Sequence, residues 1–338
     1  MFKHFLFIFV FLIVVTVGGF FWALHSPLFV EKILTNVLKK NLKEYTLDEL
    51  SIGSQRFSYP GRLIFSNVVL RIHSQDDHYR LSIFELGWEG LNNFLISDAV
   101  LPIYAKEMSL ESSQIQAKTG TINGVVYFYG WGLAHFEGGI YFQDLTAYKY
   151  QLNNLSSIFT GDVKHIEFRR LETDAYKGKI SSRILLDWGK DVPYSIKAWF
   201  KNLDLSAMKD VDPAFYGQMD GIINASVSIQ GTARNFDFLS LQAKVAKDGM
   251  VNASLLKFVM PYIPRTQESI QLSDMIKKGL KVPVEVAAFE IHSIDQHKLS
   301  GIAKFAIKQL NLDLNLPIDI LYDGNFYSLI QWVKKFSK

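Results

Sequence analysis

The chain has 338 residues, 36 Lys plus Arg against 33 Asp plus Glu, and a net charge of +3. That balance lacks the clustered basic face of a nucleic-acid binder. With no cysteine, disulfides, iron–sulfur clusters and Cys-ligated zinc are excluded.

Phe5–Leu24, "FLFIFVFLIVVTVGGFFWAL", carries no charge. As a helix at about 1.5 Å per residue it spans about 30 Å, the thickness of a bilayer core. The expectation is an uncleaved N-terminal membrane anchor over residues 1–26. A cleaved signal peptide is the competing reading, but signal cores run shorter, and "WALHSPLF" offers no convincing small-x-small site. Lys3 before the run and Lys32, Lys39 and Lys40 after it give only a weak positive-inside signal.

Ser26-Pro27 suits an N-cap and a first helical position. Val30, Ile33, Leu34, Val37 and Leu38 then fall on one face, so residues 27–44 are expected to form a short amphipathic helix. It would cap the end of a sheet, or else lie on a membrane surface beside the anchor.

From Tyr45 to about Leu255 the pattern alternates. Runs such as "RLIFSNVVLRIHS", "YRLSIFELGW" and "YSIKAWFKNLDL" are separated by Gly, Asn, Asp or Pro. This predicts antiparallel meanders rather than βαβ units. "GIINASVSIQG" (221–231) sets Ile223, Ala225, Val227 and Ile229 against Asn224, Ser226, Ser228 and Gln230, giving one dry face and one wet face. The aromatic "TINGVVYFYGWG" is expected to be buried on both faces. Pro261 and Pro264 break any helix in their stretch, leaving short helices expected near 254–259 and 268–278. Phe326, Leu329, Ile330, Val333 and Phe336 predict an amphipathic C-terminal helix.

Catalytic motifs are absent: no P-loop, nucleophile elbow, H-E-x-x-H or strand-associated G-x-G-x-x-G occurs. Two polar clusters remain. "HSQDDH" holds His73, Asp76, Asp77 and His78, which could ligate a metal, though turn residues look alike. "HSIDQH" holds His292, Asp295 and His297. On a strand His292 would point away from the other two. Neither is taken as a metal site, no catalytic residue is assigned, and no cofactor is called for. Three Asn-x-Ser sequons, at Asn154, Asn224 and Asn252, are read as chance.

The layout resembles a known group. An N-terminal anchor and a short amphipathic helix precede "LDELSIGSQRFSYPGRLIFSNVVLRI" and a long array of strands. Near the end stands "GQMDGIINASVSIQGTARNFDFLSLQAKVAKDGMVNASLLKFV". The strand ending at Gly231, then Phe238, Leu241, Ala243 and Val245, then Gly249 and Val251, is similar to the AsmA-like proteins of the bacterial envelope, including the YdbH and TamB branches. The chain looks like a short member.

The resemblance implies a mainly β protein: an N-terminal transmembrane helix followed by an elongated, antiparallel, taco-like folded sheet (45–338) with a few short amphipathic helices. It implies a single-pass inner-membrane protein with a cytoplasmic N-terminus and a periplasmic body. Its groove would carry phospholipid acyl chains between the envelope membranes. Its partners would be the bilayer and envelope or outer-membrane proteins, with no nucleic acid and no enzymatic activity. About 18 strands at about 4.8 Å would give a groove on the order of 85 Å long. Candidate lining residues are Ile180, Ile184, Ile223, Ala225, Val227, Ile229, Leu241, Ala243, Val245 and Val251. The alternative is an anchored β-domain with a closed core that acts by protein contact.

Overall fold

The computed structural model describes residues 31–32, 35–36, 39, 46–58, 61–74, 77–90, 98–129, 132–147, 150–187, 193–208, 219–232, 236–253, 265–295, 297–308 and 311–321. The expected anchor (1–26), the helix near 254–259 and the C-terminal helix lie outside them. Among the described residues no helix is long and apolar enough to cross a membrane. Of the expected helix over 27–44, the described positions Glu31, Lys32, Thr35, Asn36 and Lys39 are helical. Glu31 accepts a hydrogen bond from the Ile52 amide at 2.6 Å.

The chain divides into two compact units, Met1–Val163 and Lys164–Lys338. The first holds β1 (Thr46–Ser58), β2 (Arg62–His73), β3 (His78–Trp88), β4 (Asp98–Glu111), β5 (Ile115–Tyr129), β6 (Gly132–Ala147) and β7 (Tyr150–Gly161). Each strand pairs antiparallel with its sequence neighbour. The second holds β8 (His165–Ala175), β9 (Gly178–Asp187), β10 (Tyr194–Asp204), β11 (Met219–Gly231), β12 (Phe236–Asn252), β13 (Lys281–Pro283), β14 (Val286–Ser293), β15 (Lys298–Ile307) and β16 (Leu312–Leu321). Its described residues also hold one α-helix, α1 (Gln267–Lys277). Here too the pairing is antiparallel and sequential, except that β12 pairs both β13 and β14. The mainly β, antiparallel expectation therefore holds, with sixteen strands described against about 18 expected.

Alternation predicts strands here because successive side chains take opposite faces. In the first unit the inward set is buried: Leu63, Phe65, Val68 and Leu70 on β2, then Leu81 and Ile83, then Ala99, Leu101 and Ile103. Phe65 meets Trp88 edge to face at 5.2 Å between centroids. The aromatic β5 departs from expectation. Ile122, Val126 and Phe128 are buried, but Tyr129 is 75 % exposed, so only one face is covered.

The alternation slips in a repeated way. On β2 the buried set steps from Phe65 to Val68, on β4 from Ala105 to Met108, on β5 from Ala117 to Gly120. Each three-residue step holds a residue with positive φ: Asn67, Glu107 and Thr119. Asn154 does the same on β7, between Leu152 and Leu155. Registers set Asn67 opposite Phe84, Phe84 opposite Glu107, and Thr119 opposite Gln143, which in turn faces Asn154. The steps thus line up across the strands, and β4 and β5 shift register at theirs. A bulge bends its strand and increases twist, which applies at Glu107 and Thr119. In the second unit Asn202 sits in the same kind of step, between Phe200 and Leu203.

Helix α1 begins at a capping box, in which Thr266 and Ser269 exchange side-chain and backbone bonds. Its Leu272 is fully buried against Val245, Val282, Ala287, Ala303, Phe305 and Ile307. The expected helix over 268–278 is thereby confirmed to within a residue.

Candidate functional site

In the second unit, strand registers arrange the apolar side chains of β9–β15 in rows. One row runs Ile180, Phe200, Ala225, Ala243, Phe289, Ala303. The next runs Ser182, Ala198, Val227, Leu241, Ile291. A third runs Ile184, Ile196, Ile229, Leu239. Directly paired residues in an antiparallel sheet share a face, so these rows form one continuous apolar surface.

This surface is not covered as the first unit's is. Ile180, Ile184, Ile196, Ala198, Phe200, Ala225, Val227, Ile229, Leu241, Ala243, Phe289 and Ile291 are all only half-buried. Both ends are closed. At one, α1 covers Val245, Ala287 and Phe305, with Ile223 and Phe289 packed against that cluster. At the other, Leu186, Leu239 and Leu299 are buried. An apolar window therefore stays open in the middle of the sheet.

Seven of the ten predicted lining residues (Ile180, Ile184, Ala225, Val227, Ile229, Leu241, Ala243) belong to this half-buried surface, while Ile223 packs against the cluster beneath α1 at its closed end. Val245 does not belong to it either: at 5 % exposure it lies in the packed core beneath α1, so it supports the end closure rather than the open wall. Val251 pairs with Met219 and Val282 at the β13 end, and its side chain lies outside the described residues. Ile196, Ala198, Phe200, Phe289 and Ile291 were missed by the sequence reading. Alternation on β10, "YSIKAWF", already carried the signal for the first three.

The alternate side chains of the same strands are mixed, with Lys201, Lys244, Glu290 and Lys304 beside the exposed Trp199 and Ile302. They line a concavity of about 580 Å³, which Phe200, Ala225, Ala243 and Phe289 of the first row also reach. Trp199 is 47 % exposed. Beside it His292 bonds Ser240 through Nδ1 at 2.8 Å and Glu290 through Nε2 at 3.0 Å. A Ser–His–carboxylate relay alone does not make a hydrolase, which also needs backbone donors for an oxyanion. Ser240 lies mid-strand between β11 and β14, where strand amides are engaged in pairing. The rest of the second histidine cluster behaves as a turn. Asp295 Oδ1 accepts from the His297 amide at 2.7 Å, and both residues lie between β14 and β15 rather than on a strand.

A second concavity, of about 740 Å³, lies by Asp204, Asp220 and Asp248. All three acids are paired with lysines: Asp204 with Lys177, Asp220 with Lys281, Asp248 with Lys247. The Lys177 ammonium, helped by the Ser206 hydroxyl, lowers the Asp204 carboxyl to about 2.

In the first histidine cluster Asp77 is structural. Its Oδ1 accepts from the His78 amide at 2.8 Å and the Ser113 amide at 3.0 Å. Burial works against its ionisation, but these donors hold its pKa below the ordinary value. Of the sequons, Asn154 accepts from the Tyr141 hydroxyl and Asn224 from the Asn202 amide, so both side chains are already used within the sheet.

No protein-family model, no curated protein and no solved structure matches this chain.

Proposed function

We propose that the chain is a membrane-anchored, AsmA-like envelope protein whose β-sheet binds phospholipid acyl chains and conducts them between the inner and outer membranes. The anchor sits in the bacterial inner membrane with its N-terminus in the cytoplasm, and the body stands in the periplasm. The observation that carries this reading is the half-buried apolar window spanning β9–β14. A soluble β-domain has reason to bury such a face, as the first unit does.

The chemistry fits. Lining made of Ile, Val, Leu, Ala and Phe offers acyl chains transfer out of water at about 0.8 kcal/mol per CH₂. A uniform wall lacks polar partners that would fix one lipid in place, so a chain can slide along it. The reading needs no catalytic group and no cofactor. Its test is mass spectrometry of lipid extracted from the full chain purified in mild detergent. Co-purifying stoichiometric phospholipid supports it, and a folded, lipid-free chain rejects it.

The second reading is a protein-contact factor in outer-membrane assembly. It draws on the closed first unit and on the exposed Trp199 in a basic concavity, since tryptophan is enriched at interface hot spots. Under it, Trp199→Ala abolishes capture of an envelope protein while any bound lipid is unchanged.

A further inference from the structure

Three side chains that the groove does not use meet at the β2–β3 turn. His73 and His78 are directly paired across the hairpin, with ring centroids 5.5 Å apart. Asp48 comes from β1. It is the extra residue of a bulge, lying between the Leu47–Ile72 and Glu49–Arg71 pairs. A bulge can re-aim a side chain. Here Asp48 Oδ1 lies 2.6 Å from His73 Nδ1. One ligand atom from each of the three residues falls within 4.8 Å of the others.

We infer that Asp48, His73 and His78 form a divalent-metal site of the class that takes zinc. Two imidazoles and a carboxylate are borderline nitrogen and oxygen donors suited to zinc. Around a four-coordinate zinc with bonds of about 2.0–2.1 Å, neighbouring ligand atoms lie about 3.3 Å apart. The observed spacing reaches that value by small side-chain rotations. The three residues are half-buried or exposed, which leaves the remaining coordination position to water.

The backbone beneath the site is held in place. Besides the Asp77 carboxylate bonds, the Ser74 amide donates to the Asp77 carbonyl at 2.8 Å, and the Asp77 amide to the Ser74 hydroxyl at 3.2 Å. Asp77 is therefore a positioning residue, not a ligand. Such support is what a metal site requires of its surroundings. The ion would clip β1 to the β2–β3 hairpin. This inference does not depend on the lipid reading.

The test uses untagged full-length chain in detergent, stripped with chelator and titrated with zinc chloride. Cobalt chloride serves as a parallel spectroscopic probe. The expected result is one ion per chain and a cobalt spectrum of tetrahedral intensity. Affinity should fall about tenfold or more in Asp48→Asn and be lost in His78→Ala, with His297→Ala as an unaffected control. Circular dichroism confirms that the variants fold. Asp48→Asn keeps the carbonyl acceptor, so it remains informative if His78→Ala misfolds. Absence of stoichiometric zinc in the wild-type chain, or wild-type affinity in folded Asp48→Asn and His78→Ala, overturns the assignment.

Discussion

Replacing Val227 with glutamate tests the open window directly. Val227 sits mid-row on β11, between Ala198 and Leu241, and is half-buried. Fully burying a valine or leucine side chain contributes about 1.5–3 kcal/mol, so at its partial burial the loss of Val227 costs about 1–2 kcal/mol. A glutamate carboxylate here can reach water in the lipid-free chain, which keeps the stability loss near that figure. With about 2–4 °C per kcal/mol for a unit of this size, the melting temperature falls by about 2–8 °C. Lipid changes the account. An acyl chain lying over the window would strip water from an unpaired charge, at a cost of several kcal/mol. At about 1.4 kcal/mol per tenfold, a 3 kcal/mol penalty weakens lipid binding about a hundredfold.

The control is Leu101→Glu on β4, where the native side chain is 0 % exposed. An unpaired charge buried in that closed core costs about 3–5 kcal/mol, or about 6–20 °C in melting temperature. Thermal denaturation and lipid quantification on both variants give the comparison. If Val227→Glu destabilises the fold as strongly as Leu101→Glu, the window is closed and the groove reading is wrong. Unchanged lipid in a folded Val227→Glu chain refutes it equally.

Further expectations follow from single sites. Leu272→Ala removes the fully buried anchor of α1 and should cost about 2–5 kcal/mol, read by chemical denaturation of the second unit. Gly138→Val should destabilise the first unit by about 1–3 kcal/mol, because a Cβ at Gly138 would meet the Asn123 carbonyl and lie 2.8 Å from the Gly124 Cα. Asp204 has its carboxyl pKa lowered from 3.8 to about 2 by Lys177 and then Ser206. A depressed pKa stabilises the fold above the unfolded value and loses that contribution as pH falls through the folded one. Wild type should therefore exceed Asp204→Asn in stability above about pH 4, and the gap should close near pH 2, as measured by urea midpoints across that range.

Much of the fold was legible because alternation is local. "GIINASVSIQG" announces a one-faced strand whatever surrounds it, and Ile223 to Ile229 indeed share a face. Neighbouring strands joined by short turns pair antiparallel by proximity, which made the meander readable. Strict alternation failed at the three-residue steps. Phe65 and Val68 are three apart yet both buried, and the intervening Asn67 was the available signal, since Asn tolerates positive φ. The burial of "TINGVVYFYGWG" was overestimated because aromatic content says nothing about whether a second layer exists.

Sequence alone thus determined the strand class, the sequential antiparallel order and which side chains share a face. It could not determine which apolar faces are covered. Val227 and Val245 read alike along the chain, yet Val245 is sealed by a helix that starts 22 residues later, and Val227 is not. Exposure depends on what packs opposite, and that element lies far away in sequence. The same holds for Asp48, His73 and His78. The histidines were visible together as a turn, but a bulge on a different strand supplied the carboxylate, and only the folded register brought it within reach.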